Sequence, residues 1–240
     1  MKTVLVTGAN KGLGFETAKY LLENGYFVYL GARKQELGTA AVSNLKTFGL
    51  HSCEFIEIDT TSDESVNNAK EYLSTKLSSL DVLINNAGIL GRIPTAENPL
   101  SLTDIQKVFD TNLFGTIRVT QTFLPLLKLS THPRIVNVTS DLASLTLHQD
   151  PTWKYYPFKG LAYGPSKSAL NAFTVALAFQ LKETKFKVNC VTPGHTATDF
   201  NNYRGDKKPQ DTCKTIAKYA MLDDGAPTGK FFNENGELPW

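Results

Sequence analysis

Six short runs rich in valine, isoleucine and leucine recur along the chain: Thr3–Val6, Tyr26–Leu30, Glu54–Ile58, Val82–Ile84, Ile135–Val138 and Val188–Val191. Each is mostly apolar on both faces of an extended backbone, a pattern that suits a parallel sheet covered by helices on both sides. The stretches between them, Phe15–Asn24, Gln35–Phe48, Asp63–Leu77, Asp104–Lys128 and Ser166–Thr184, have helical spacing. Thr61 with Glu64 and Thr103 with Gln106 fit capping boxes at two helix starts. No linker, repeat or low-complexity segment interrupts the alternation. The expectation is an α/β fold, a single Rossmann-type doubly wound domain spanning residues 1–240, with a parallel sheet of about seven strands and helices on both faces.

Composition narrows the function classes. A chain of 240 residues that is 41% hydrophobic can bury a core of this kind. Its 25 basic and 23 acidic side chains leave a net charge of +2, too balanced for a nucleic-acid footprint. The most basic stretch, Arg204–Lys218, also carries Asp206 and Asp211 and reads as a solvated helix face. Cys53, Cys190 and Cys213 are widely spaced and form no CxxC, which points to reduced thiols and a cytoplasmic setting. The four histidines lack metal-ligand spacing, so no metal site is expected. There is neither a signal peptide nor an apolar run of membrane-spanning length, so no membrane association is expected.

A doubly wound sheet binds its ligands at the carboxyl ends of the strands, near the point where strand order reverses. After the first run comes Gly8-Ala-Asn-Lys-Gly-Leu-Gly14 and then a helix. Such glycines permit a tight turn and close backbone approach, and the helix N-terminus offers free N–H groups to a pyrophosphate. The second run leads into Tyr29–Gln35, which contains Arg33 and no acid. A carboxylate here would bind the 2′-hydroxyl of NAD, whereas a guanidinium accommodates the 2′-phosphate of NADP. Lys11 approaches from the first turn, so Lys11 and Arg33 are expected to clamp that phosphate, and NADPH/NADP is the expected cofactor. Asp59, after the third run, is open to two readings: an acceptor for the adenine amino group, or a loop acid beside a helix cap.

Further along stand Asn85-Asn-Ala-Gly88, Ser140 after the fifth run, Tyr163 and Lys167 in AYGPSK, and Pro193-Gly-His-Thr-Ala-Thr-Asp199. With the glycine turn, these five motifs in this order resemble the short-chain dehydrogenase/reductase family over essentially the whole chain. GANKG together with GAR is similar to its NADPH-dependent carbonyl-reductase branch, as is the closing GKFFNENGELPW. The resemblance implies that Gly8, Asn10, Lys11, Gly12, Leu13 and Gly14 line the nucleotide, with Asp59 and Thr60 flanking adenine and Asn86, Ala87 and Gly88 beside the riboses. Pro193, Gly194, Thr196 and Thr198 would hold the nicotinamide end, where Tyr163 and Lys167 also touch the cofactor. Asn112, Ser140, Tyr163 and Lys167 would form the catalytic set.

The residues suit that chemistry. Tyr163 and Lys167 lie at i and i+4 and share one helix face. A phenol's pKa of about 10 is poorly matched to neutral pH, and a neighbouring ammonium is expected to lower it. Ser140 would hold a substrate carbonyl while Tyr163 protonates its oxygen, and Asn112 would hold a relay water near Lys167. The expected activity is NADPH-dependent reduction of a ketone or aldehyde, reversible as alcohol dehydrogenation, on a small-molecule carbonyl substrate. An NADP-binding sensor on the same scaffold is the alternative, and retention of both Tyr163 and Lys167 speaks against it. A sugar-nucleotide epimerase or dehydratase would need more than the roughly 40 residues that follow Thr198.

The gap of 23 positions from Ser140 to Tyr163 is longer than usual in the family. Its insert, about 141–162, contains Trp153, Tyr155, Tyr156 and Phe158, readable as a pocket wall or as a cap on the core. The insert also bears on subunit pairing, which leaves homodimer and homotetramer open. Residues of about 195–222 read as a substrate lid.

Overall fold

Strand β1 (Thr3–Thr7) is an interior strand of an eight-stranded sheet, ordered β3-β2-β1-β4-β5-β6-β7-β8. β2 (Phe27–Ala32), β3 (Cys53–Glu57), β4 (Val82–Asn85), β5 (Arg134–Val138), β6 (Lys187–Val191) and β7 (Phe231–Asn233) run parallel to their neighbours. β8 (Gly236–Glu237) is antiparallel and closes the edge. The computed structural model describes residues 1–95 and 97–240. All six apolar runs are strands. Strand periodicity then sorts their side chains: Val4 and Val6 pack to one face and Leu5 to the other, all fully buried.

Helices α1 (Gly12–Glu23), α2 (Gln35–Thr47) and α7 (Pro209–Ala220) cover the face carrying Val4 and Val6. α3 (Asp63–Lys76), α5 (Gly115–Lys128) and α6 (Tyr163–Gln180) cover the other. Since β1 pairs with both β2 and β4, strand order reverses beside it, and the crevice opens at the carboxyl ends of these strands.

Several local expectations are corrected. The sheet has eight strands rather than about seven, and its last is antiparallel. The cap of α3 is Ser62, whose hydroxyl accepts from the Ser65 N–H at 3.2 Å, because Thr61 is occupied with Asp59. The capping box of α4 (Leu102–Phe109) is Ser101 with Asp104, two residues before the predicted pair. The expected helix Asp104–Lys128 is broken by a π-turn, Asp110–Phe114, between α4 and α5. Of the expected lid, Pro209–Ala220 is α7, and its Cys213, Ile216, Ala217 and Tyr219 are buried in the core. Within α7 the solvent-facing side carries Gln210, Asp211, Lys214 and Lys218. No helix among the described residues is long and apolar enough to cross a membrane. All three cysteines are free and buried.

Candidate active site

The glycine turn is shaped from beneath by β4. The Asn86 side-chain amide donates to the carbonyls of Thr7 (2.9 Å) and Gly8 (3.1 Å), while the Asn86 and Ala87 N–H groups donate to Thr7 Oγ1, both at 3.0 Å. A Cβ on Gly14 would stand 2.4 Å from the Gly8 carbonyl and 2.5 Å from Asn86 Nδ2, so only glycine allows α1 to approach this closely. Gly12 has φ +55, in the left-handed region that favours glycine. Lys11, at the N-cap of α1, makes no side-chain cap, and the first turn contains no acid. The helix's own first turn therefore leaves its N–H groups without a side-chain acceptor, an arrangement that fits a pyrophosphate. Asn10, Leu13 and Gly8 are half-buried around the turn.

The expected two-cation clamp is not assembled. Lys11 Nζ is ion-paired with Asp199. Arg33 lines a cavity of about 390 Å³ together with Ile89, Gly91, Arg92, Asp104, Lys107, Val108 and Thr111. Arg92 is held by Asp104 at 2.9 Å, and this guanidinium, together with the N–H and hydroxyl that Ser101 donates to the same carboxylate, keeps the Asp104 carboxyl well below its usual range, at about 2. Among the described residues, Arg33 and Lys107 enter no ion pair, so this cavity has positive charge to offer. Asp59 Oδ1 accepts from the N–H and hydroxyl of Thr61, at 2.9 and 2.8 Å, which is the loop-acid reading. Its other carboxylate oxygen makes no hydrogen bond among the described residues. Thr60 is buried, and its carbonyl accepts from Arg118 at 2.7 Å.

Asn112, Ser140, Tyr163 and Lys167 converge. The π-turn directs Asn112 inward, where it is fully buried. Its Oδ1 accepts from the Ile89 N–H at 2.8 Å, and its Nδ2 donates to the Ile89 carbonyl at 2.9 Å and to Ser166 Oγ at 3.0 Å. Lys167 is buried and donates from Nζ to the Val138 carbonyl at 2.8 Å. A Cβ on Gly88 would meet Asn112 Oδ1 at 3.2 Å and Lys167 Nζ at 3.5 Å, so this glycine leaves the space between them open. Tyr163 begins α6, three residues earlier than predicted, and its ring centroid lies 6.0 Å from Lys167 Nζ.

The titration of this group differs from the sequence expectation. Burial pushes the Tyr163 phenol up to about 12, opposed by its hydrogen bond with Ser140 and reinforced by the charge of Asp141. Lys167 does not lower it: the ammonium is directed to the Val138 carbonyl, and the one lowering contribution comes from Ser140. Burial also pulls Lys167 down to about 8. The phenol is thereby held protonated at neutral pH, one helical turn from a lysine whose pKa burial brings to about 8.

Past β6, Pro193 and Gly194 are half-buried. Thr196 and Thr198 are buried, and Thr196 Oγ1 donates to Thr212 Oγ1 at 3.1 Å. The insert forms an aromatic ladder: Trp153 lies edge-on to His148 at 5.1 Å and to Tyr155 at 5.4 Å, and Tyr155 reaches His195 at 6.1 Å. Lys154 pairs with Asp206 at 3.4 Å, so the insert is seated on the loop after β6. Two residues escaped the sequence reading, Asp199 on Lys11 and Phe200, whose ring lies 5.6 Å from that of Tyr163. Both follow Thr198 directly, yet their contacts depend on how the loop folds back, for which the sequence carries no signal.

A family model described as short chain dehydrogenase matches residues 2–209. A short-chain dehydrogenase of Penicillium roqueforti, anuI, is 37% identical, the alignment covering 98% of this chain and 95% of that protein. Salutaridine reductase of Papaver bracteatum is 29% identical over 97% and 94%. Among solved structures, NADPH-bound carbonyl reductase from chicken fatty liver superposes with a TM-score of 0.85 at 28% identity, covering 100% of this chain and 99% of that one.

Proposed function

Because the chain belongs to the short-chain dehydrogenase/reductase family and is thus an oxidoreductase acting on small molecules, we propose that it reduces the carbonyl of a ketone or aldehyde with NADPH. The observation that carries this reading is the convergence of a protonated, half-buried Tyr163, hydrogen-bonded to Ser140, with the buried Lys167 and Asn112 behind it. A substrate oxygen seated between the Ser140 hydroxyl and the phenol is oriented by the first and protonated by the second. Lys167, with its pKa of about 8, restores the proton to Tyr163. Asn112 holds the backbone at Ile89, and with it the open space beside Gly88 and Lys167.

The uncapped N-terminus of α1 and the glycine turn fit a dinucleotide. The turn residues Gly8–Gly14 would hold the pyrophosphate and Arg33 the 2′-phosphate. Asp59 and Thr60 would hold adenine, Asn86, Ala87 and Gly88 the riboses, and Lys167 with Pro193, Gly194, Thr196 and Thr198 the nicotinamide end. The bound cofactor supplies the hydride. The NADPH-bound carbonyl reductase among the structural relatives supports this choice of cofactor. The test is a panel of ketones and aldehydes with NADPH and with NADH, followed by loss of near-ultraviolet nicotinamide absorbance. Turnover of a carbonyl with NADPH preferred is expected. No turnover across the panel, or equal kcat/KM for the two cofactors, would overturn the corresponding half of the reading.

A further inference from the structure

Two consecutive side chains of the loop between β6 and α7 reach two different parts of the site. Asp199 is paired with Lys11 of the glycine turn, and its Oδ1 stands 3.5 Å from where a Gly12 Cβ would be. The ring of Phe200 lies 5.6 Å from the Tyr163 ring, at 60° to it. A 3-10 turn over Asp199–Asn201 joins them into one piece. The Asn201 and Tyr203 N–H groups donate to the Thr198 carbonyl at 3.2 and 2.8 Å, and the Asn201 amide donates to the Thr196 carbonyl at 2.9 Å. Thr196 pairs with Lys207 at the base of the loop. At its tip, Asn202 and Tyr203 have φ of 53 and 58, the left-handed conformation that non-glycine residues adopt only at an energetic penalty. These internal bonds hold Asp199 and Phe200 in place together, so a displacement of Asp199 opens the bonds to the Thr198 carbonyl and carries Phe200 away from Tyr163.

We propose that this turn is a phosphate-operated latch on the substrate pocket: an adenosine 2′-phosphate drawn to Lys11 expels Asp199, and the movement lifts Phe200 from Tyr163. The proposal rests on the NADPH reading above. A ligand shifts such an equilibrium only through its differential affinity for the two states. The 2′-phosphate has one, since Lys11 attracts it and the Asp199 carboxylate repels it while the latch is closed. The pair is also weak enough to yield, because the Lys11 side chain is 65% exposed and solvent screens the attraction. Release of the left-handed residues at the tip favours the same direction. The substrate carbonyl thus gains access to Tyr163 once the 2′-phosphate has displaced Asp199, and Asp199 and Phe200 transmit cofactor identity to the substrate pocket.

Hydrogen exchange measured by mass spectrometry on the full chain tests this with two probes that differ only by one phosphate, adenosine 2′,5′-bisphosphate and 5′-AMP. Neither carries a nicotinamide that could touch the loop directly. Saturating bisphosphate is expected to speed exchange of the amides at residues 201–203 by about threefold or more, and AMP to leave it unchanged. Asp199→Asn and Lys11→Gln are expected to exchange fast without ligand, and Asp199→Asn to bind the bisphosphate about two- to fivefold more tightly, the range of an exposed ion pair. Bisphosphate binding about tenfold tighter than AMP with exchange unchanged or slowed would refute the latch and leave the NADPH reading standing. Equal affinity for the two nucleotides would refute the NADPH reading and the latch with it. Should Asp199→Asn fail to fold, the wild-type comparison and Lys11→Gln still decide.

Discussion

Replacing Lys167 by methionine removes a buried charge whose titration should register in the stability of the fold. Burial lowers its pKa from 10.5 to about 8. Below pH 8 the folded and unfolded chains both hold the proton, and the native state bears the full penalty of the buried ammonium. Between pH 8 and 10.5 the native lysine loses its proton while the unfolded one keeps it. The unfolded state then binds more protons, so stability rises with pH. With these two pKa values, the gain between pH 7 and pH 9.5 is about 2 kcal/mol. Tyr163 and Cys190, both raised to about 12, and Cys213, raised to about 11, act in the opposite direction as their unfolded counterparts ionise. They are common to both proteins, so the difference between wild type and Lys167→Met isolates the lysine. Urea unfolding at several pH values is the assay. The difference in unfolding free energy should move by about 2 kcal/mol in favour of wild type from pH 7 to pH 9.5. If it stays flat, Lys167 is not held near neutrality, and the proton hand-off to Tyr163 loses its basis.

Tyr163→Phe should lower kcat by about 10²–10⁴-fold on a substrate for which chemistry limits the rate, with nucleotide binding retained; more than about a tenth of wild-type kcat remaining would assign the proton to another group. Arg33→Asp should erase or invert the preference for NADPH, a change of about 10- to 150-fold in relative affinity read from kcat/KM with the two cofactors. An unchanged ratio would remove Arg33 from the phosphate site. Trp153→Ala should reorder small against bulky ketones while the KM for NADPH moves only a few-fold, since Trp153 packs on His148 and Tyr155 of the insert. Loss of thermal stability alone would make the aromatic ladder a core element.

The parallel strands were legible because each is short, apolar on both faces and bounded by helical spacing, and the structure places all six where those runs lie. The edge hairpin was not read, although Asn235-Gly236 between Phe231–Asn233 and Leu238 is a hairpin signal. The run before it is only three residues long and draws its stability from pairing with β6, which is a tertiary effect. Helix α7 was obscured for a related reason. Its buried face is made largely of small and polar residues, Thr212, Thr215, Ala217 and Ala220, beside Cys213, Ile216 and Tyr219, so no apolar stripe marks it in the sequence. The π-turn at Asn112 left no trace in the spacing at all, because the extra residue is absorbed by the bonds from Asn112 to Ile89, which lies on another segment.

For the site, residue types and order located the components, but their electrostatic state depended on three-dimensional packing. Tyr163 and Lys167 share a helix face as the spacing implies, yet the spacing suggests a mutual charge effect that favours phenolate. Burial of both groups in the same pocket penalises both charged forms and drives their pKa values towards neutral phenol and neutral amine. That direction suits reduction, in which the phenol must arrive protonated and the lysine must release and regain a proton near neutral pH. Lys11 follows the same logic. As a sequence element it is a free cation awaiting a phosphate, whereas in the folded chain a carboxylate 188 positions away already occupies it. A phosphate at Lys11 therefore replaces an existing partner rather than filling an open position. Its net contribution to affinity is the difference between two ion pairs, so Arg33, which has no competing acid among the described residues, should carry the larger share of the discrimination between NADPH and NADH.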